Sequence, residues 1–137
     1  MNRALIILLL VMVVAIAAWA YKTVKNDGFE TVDVDTFERM IATSDSIQLL
    51  DVRSEEEYEE GHLPGATLIN IQDSTFLNQV EKQLVKEKPI AVYCRSGRRS
   101  ANAASKLVKA GYTVINLDGG IIAWRKQGKL VFPNRDN

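Results

Sequence analysis

The stretch Pro89-Ile90-Ala91-Val92-Tyr93-Cys94-Arg95-Ser96-Gly97-Arg98-Arg99-Ser100 decides the fold. Its first five residues form a short, nearly continuous apolar run, the pattern of a strand covered on both faces. Its last residue opens Ser100 to Ala110, where Ala103, Ala104, Leu107 and Val108 recur at helical period. Gly111 then suits the position just past the helix end. A strand that passes through a tight loop into a helix is the unit of a parallel α/β sheet. Such sheets bind ligands beyond the carboxyl ends of their strands.

The loop itself has a chemical logic. From Cys94 to Arg99 it is short enough to curl, and Gly97 permits the unusual dihedral that a curl requires. Its backbone N–H groups then converge on one point. Together with the following helix N-terminus and Arg95, Arg98 and Arg99 they make an anion cradle. The same field favours Cys94 as a thiolate and therefore as a nucleophile. A free cysteine is more often a small buried hydrophobe. An arginine-rich loop is a costly surrounding for inert packing, which favours the reactive reading.

The same alternation continues on both sides. Ile47 to Val52 and Thr113 to Leu117 read as strands, with shorter ones near Glu30 to Val32 and Thr67 to Ile69. Asp35 to Ala42 places Phe37, Met40 and Ile41 on one helical face. Ser54-Glu55-Glu56-Glu57 is a capping box before a short acidic helix. Ser74 to Lys86 spaces Phe76, Leu77, Val80 and Leu84 at helical period. The acidic run Glu55 to Glu60 reads as a solvated helix face near a favourable helix N-terminus rather than as a cation site. The expected class is α/β, built on a mainly parallel sheet flanked by helices.

Composition narrows the function. The chain has 137 residues, 47% apolar and 25% charged, as in a packed single domain. Seventeen basic residues balance seventeen acidic ones, which argues against a nucleic-acid partner. One cysteine and one histidine exclude a disulfide framework and a dedicated structural zinc site, and no metal or cofactor is expected.

Residues 1–20 stand apart. Ala4 to Ala20 carries no charge and follows Arg3. As a helix it would reach roughly 26 Å, just short of a ~30 Å hydrocarbon core. A strongly apolar Leu5 to Val14 precedes the small residues Ala15 to Ala20. This pattern reads as a signal peptide cut after Ala20, or as a short uncleaved anchor with Trp19, Tyr21 and Lys22 at the interface. A buried core helix is the third reading. Either of the first two puts the domain outside the cytoplasm, in the periplasm or on the outer face of the cytoplasmic membrane, with membrane contact only through residues 4–20. Residues 21–28 read as a tether, 29–130 as the domain and 131–137 as a tail.

Four segments resemble the rhodanese family in order: Leu50-Asp51-Val52-Arg53, Glu60-Gly61-His62-Leu63-Pro64-Gly65-Ala66, Cys94-Arg95-Ser96-Gly97-Arg98-Arg99-Ser100, and Asp118-Gly119-Gly120 with Trp124. The resemblance spans about Phe29 to Leu130. It implies a five-stranded sheet with Cys94 at the base of a six-residue active loop, and a sulfurtransferase activity. Cys94 would take sulfane sulfur from an anionic donor such as thiosulfate and pass it to cyanide or a thiol, or to a protein acceptor. Arg95, Ser96, Gly97, Arg98 and Arg99 would bind the donor and the persulfide. For Arg99 a structural ion pair is the open alternative, and Ser100 reads as an early-helix residue serving the cap. Asp51, Arg53 and His62 are expected to support the structure, His62 because an ionised Cys94 needs no general base. Trp124 is expected in the core. The Cys-x4-Arg spacing is one residue shorter than the Cys-x5-Arg loop of cysteine phosphatases, so phosphatase or arsenate-reductase chemistry is not expected. A different class of function is a non-catalytic module that carries a persulfide to one partner.

Overall fold

The computed structural model describes residues 1–23, 28–43 and 45–133, with only the backbone for 18–23. Five strands form one parallel sheet: β1 (Glu30–Val32), β2 (Gln48–Asp51), β3 (Thr67–Leu68), β4 (Ile90–Tyr93) and β5 (Val114–Leu117). Their spatial order is β1-β5-β4-β2-β3, which puts β4 at the centre. The helices are α1 (Arg3–Thr23), α2 (Val34–Ala42), α3 (Glu55–Glu60), α4 (Phe76–Gln83), α5 (Arg98–Lys109) and α6 (Gly120–Lys126).

Side chains of β4 alternate between two cores. Ile90, Val92 and Cys94 join Phe76 and Val80 of α4 and Ala103, Ala104 and Leu107 of α5. Ala91 and Tyr93 join Val34 and Phe37 of α2 and Ile121 and Trp124 of α6. Every residue of β4 and β5 is buried. That is why these strands read as nearly continuous apolar runs, broken only by the buried Asn116 of β5: with helices on both faces, neither face needs to be polar. Phe37 is fully buried and meets Trp124 edge to face at 6.5 Å. Trp124 Nε1 donates to the Leu130 carbonyl at 2.9 Å, so its polar end is satisfied inside the core.

Some element ends differ from the sequence reading. The helix expected over Ser74 to Lys86 begins at Phe76, because Asp73 holds the Thr75 N–H and hydroxyl in a turn. It stops at Gln83 because Leu84 is extended. The helix expected from Ser100 starts at Arg98, directly after Gly97, and Gly111 follows its end with φ +99°. The strand expected over Ile47 to Val52 is confined to Gln48–Asp51.

The chain ends correct the expected boundaries. α1 continues through Thr23, beyond Ala20 and into the expected tether; residues 24–27 lie outside the described residues. Every described side chain from Met1 to Ala17 is exposed, so the buried-helix reading fails. No helix among the described residues is long and apolar enough to cross a membrane, and the anchor reading gains no support. At the other end, Phe132 exchanges two backbone hydrogen bonds with His62, 2.7 and 2.9 Å. The domain therefore extends past Leu130 into the expected tail, whose residues 134–137 lie outside the described residues.

Candidate active site

Cys94 is the first residue beyond the central strand, and the chain curls back over it into α5. Gly97 makes the curl possible, with φ +104°, a conformation that a side chain would strain. Its N–H donates to Cys94 Sγ at 3.1 Å. Carbonyls that would otherwise face the sulfur are turned away. Those of Cys94 and Arg95 accept the Ile121 and Ile122 N–H groups of α6 at 2.9 and 3.1 Å. Gly120 allows that approach, because a Cβ there would collide with both carbonyls. One helix thus takes the first two carbonyls of the loop, while the Gly97 carbonyl is taken within α5 by the Ala101 N–H.

The electrostatic result follows. Burial raises the Cys94 thiol. Hydrogen bonds from the Ser100 hydroxyl and from the Ser100, Gly97 and Ser96 N–H groups together outweigh it and hold the pKa below the ordinary 9.0. Ser100 is therefore more than the capping residue expected from sequence. It is wholly buried, and its hydroxyl also lies 3.1 Å from the Gly97 carbonyl. The same hydroxyl is thus shared between the loop carbonyl, to which it donates, and the thiol whose pKa it helps to lower.

The three loop arginines take different places. Arg99 forms a two-pronged ion pair with Glu57 at 2.7 and 2.8 Å, the kind of structural partner that the sequence left open as its alternative. Glu57 also accepts from the Ser54 N–H and hydroxyl, so the capping box of α3 anchors the active loop. Arg99 beside it holds the Glu57 carboxyl down at about 2. Arg95 and Arg98 are exposed and form no ion pair among the described residues. Arg98 also sits in the first turn of a helix with no acidic residue there, against the helix dipole. An anion docked at the loop would relieve that arrangement. Ser96 is exposed and contributes its N–H.

Asp51, Arg53 and Tyr93 form a separate buried network. Arg53 Nη2 donates to Asp51 at 2.7 Å and to the Gly61 carbonyl at 2.7 Å. The Tyr93 hydroxyl donates to Asp51 at 2.6 Å and accepts the Leu63 N–H at 3.0 Å. Burial first, and the Asp51 charge second, push the Tyr93 hydroxyl far above its ordinary range, so it stays protonated. His62 stacks on Tyr58 with 3.6 Å between ring centres and its Nδ1 lies 2.8 Å from the Tyr58 carbonyl, in a turn pinned by Phe132. Asp51, Arg53 and His62 thus bond to neighbouring strands and turns, and among the described residues no hydrogen bond joins any of them to Cys94 Sγ.

Glu57 and Ser100 are the site residues that the sequence reading missed as such. The signal for Glu57 was present, as the last residue of its capping box, but its partner Arg99 belongs to a distant segment.

Known proteins resemble this chain in sequence and fold. The sequence model of the rhodanese-like domain matches residues 33–127. The chain is 36% identical over 107 residues to a protein of Arabidopsis thaliana named thiosulfate sulfurtransferase 18, covering 69% of this chain and 79% of that one. It is 34% identical over 103 residues to a sulfurtransferase of Allochromatium vinosum, covering 71% and 89%. The crystal structure of a rhodanese-related protein from Thermoplasma volcanium superposes with a TM-score of 0.65 at 29% identity, covering 75% of this chain and 97% of that one. With a family match across most of its length and the same five-stranded parallel sheet, the chain belongs to the rhodanese-like domain family, whose matched members include proteins named as sulfurtransferases.

Proposed function

We propose that the chain is a sulfurtransferase that moves sulfane sulfur from a small anionic donor, such as thiosulfate, to cyanide or a thiol through a persulfide on Cys94. The observation that carries this reading is the convergence of the Gly97, Ser96 and Ser100 N–H groups on a thiol held below its ordinary pKa. The Cys94 thiolate attacks the outer sulfur of the donor. A sulfur–sulfur bond forms to Cys94 as the one to the sulfonate breaks, and sulfite leaves with the electron pair. The terminal sulfur of the persulfide keeps the negative charge, and the loop N–H groups stabilise it without reorganising. Arg95 and Arg98 attract the dianion and help to release sulfite. An acceptor then attacks the terminal sulfur and returns Cys94 to the thiolate.

The test is direct. Exposure to thiosulfate should add the mass of one sulfur atom to the wild-type chain and none to Cys94→Ser. No gain in wild type, or an equal gain in the variant, overturns the reading. Turnover with cyanide marks a catalyst, and loading without turnover marks a dedicated carrier.

We also infer that the domain works outside the cytoplasm. The support is the charge-free run Ala4 to Ala20 behind Arg3, ending in an Ala-rich stretch, on a helix whose described side chains, Met1 to Ala17, are all exposed. Fractionation of cells that express the full chain, with the N-terminal residue of the product determined, checks both export and cleavage after Ala20.

A further inference from the structure

A groove of about 230 Å³ opens beside the active loop, and the transfer chemistry just described draws on it only through Arg95. Arg53, Glu57, Glu60, Arg95, Ile122 and Arg125 are among its lining residues. Two of these charges are already engaged, Arg53 with Asp51 and Glu57 with Arg99. Three are not. Among the described residues, Arg95, Arg125 and Glu60 have no side-chain hydrogen bond or ion pair, although they share one small concavity.

The place of Arg125 is built into the fold. Its guanidinium fills the space that a side chain at residue 61 would occupy; a Cβ on Gly61 would collide with Nη2. Gly61 is itself fixed, since its carbonyl accepts from the buried Arg53. Arg95 is the loop residue next to the nucleophile in sequence, so a ligand that bridges the two arginines is held at the rim of the active loop. Ile122 adds an apolar wall. The groove is smaller than the pockets that take drug-sized ligands, and it suits a molecule of a few carbon atoms.

We propose that this groove selects the sulfur acceptor: a small thiol that carries its own carboxylate and ammonium, an amino-acid-like zwitterion. The proposal rests on the sulfur-transfer reading above. Arg95 and Arg125 take the carboxylate, for which the planar fork of a guanidinium is well matched. Glu60 takes the ammonium. The acceptor loses its thiol proton to solvent, and its thiolate attacks the terminal sulfur of the Cys94 persulfide. A sulfur–sulfur bond forms to the acceptor as the one to Cys94 breaks. Cys94 leaves as a thiolate, and the product is the acceptor persulfide, with no external oxidant or reductant. Cyanide has neither charged handle and gains nothing from the groove.

The experiment follows discharge of the preloaded full-length chain by intact mass, with four thiols: cysteine, 3-mercaptopropionate, cysteamine and 2-mercaptoethanol. Ratios of variant to wild-type rates cancel the intrinsic reactivity of each thiol. In Arg125→Ala the rates with cysteine and mercaptopropionate, each divided by that with mercaptoethanol, should fall about tenfold, as expected for loss of a charge-assisted hydrogen-bond pair. Arg125→Lys should recover part of this loss. In Glu60→Gln the rates with cysteine and cysteamine, divided the same way, should fall several-fold, while that with mercaptopropionate should not fall. Equal changes for all four thiols, or none, overturn the proposal. A wild-type chain that never loads sulfur on Cys94 overturns the sulfur-transfer reading and this proposal with it. A loaded chain that discharges without charge preference overturns this proposal alone.

Discussion

Two clusters of charge lie at the carboxyl end of the sheet, and they are wired in opposite ways. Around Asp51 every group is answered from within: both carboxylate oxygens, the Arg53 guanidinium and the Tyr93 hydroxyl all have protein partners, and all are buried. Around Cys94 the donors outnumber the acceptors. The Cys94 and Arg95 carbonyls are drawn off by α6, the Ser96, Gly97 and Ser100 N–H groups serve one sulfur, and Arg95 and Arg98 lack ionic partners among the described residues. A closed network holds a shape; an unbalanced one asks for a ligand. Composition cannot distinguish them, since each is built from polar residues next to a core strand.

Mutation can break or sharpen this contrast. The largest effect is expected at the closed network. Asp51→Ala leaves Arg53 buried without its charge partner, and the chain should lose about 3–5 kcal/mol of stability. Urea unfolding measures the loss. The pH at which Cys94 is half alkylated in the remaining folded protein should stay where it is. A shift there would show that the two clusters are coupled.

Glu57→Gln lies between the extremes, because Glu57 ties the loop to α3. The expected loss at pH 7 is about 1 kcal/mol, as its pair with Arg99 is partly exposed. The folded pKa of Glu57, about 2, lies below its ordinary 4.5. Its stabilisation is therefore complete above pH 4.5 and is lost as pH falls through about 2. Urea midpoints of wild type and variant should converge over that window. A gap that does not change with pH would assign the effect to packing.

Ser100→Ala should have the smallest effect on stability and the clearest one on chemistry. Removal of the hydroxyl donor should raise the pH at which Cys94 becomes reactive to iodoacetamide. An unchanged profile would leave the thiolate to the backbone N–H groups alone.

The contrast also explains what could be read in advance. Strands β4 and β5 were legible because burial on both faces leaves a nearly continuous apolar run in one segment, with Asn116 the one polar residue in β5. The α3 capping box and the loop of Cys94 were legible for the same reason, each being a local pattern. The ion pair between Glu57 and Arg99 was not, because neither segment carries a mark of the other. Ser100 was misread as a cap because its helical position is ordinary; only the fold of the loop over Cys94 shows what its hydroxyl meets. Gly120 and Gly61 matched a family pattern, but the collisions they avoid, with the loop carbonyls and with Arg125, exist only in three dimensions. Trp124 lies in the core as expected. The extent of the helix that carries it, Gly120–Lys126, and its bonds to the loop come only from the structure.

The two N–H groups that α6 gives to the Cys94 and Arg95 carbonyls have a consequence in time. A chain emerging from synthesis makes its cysteine well before it makes Ile121 and Ile122. Until that last helix docks, the loop's carbonyls have no partners to turn them outward and the sulfur has no ring of donors. The unfolded chain therefore carries an ordinary, slow thiol, and reactivity arrives only with the completed domain.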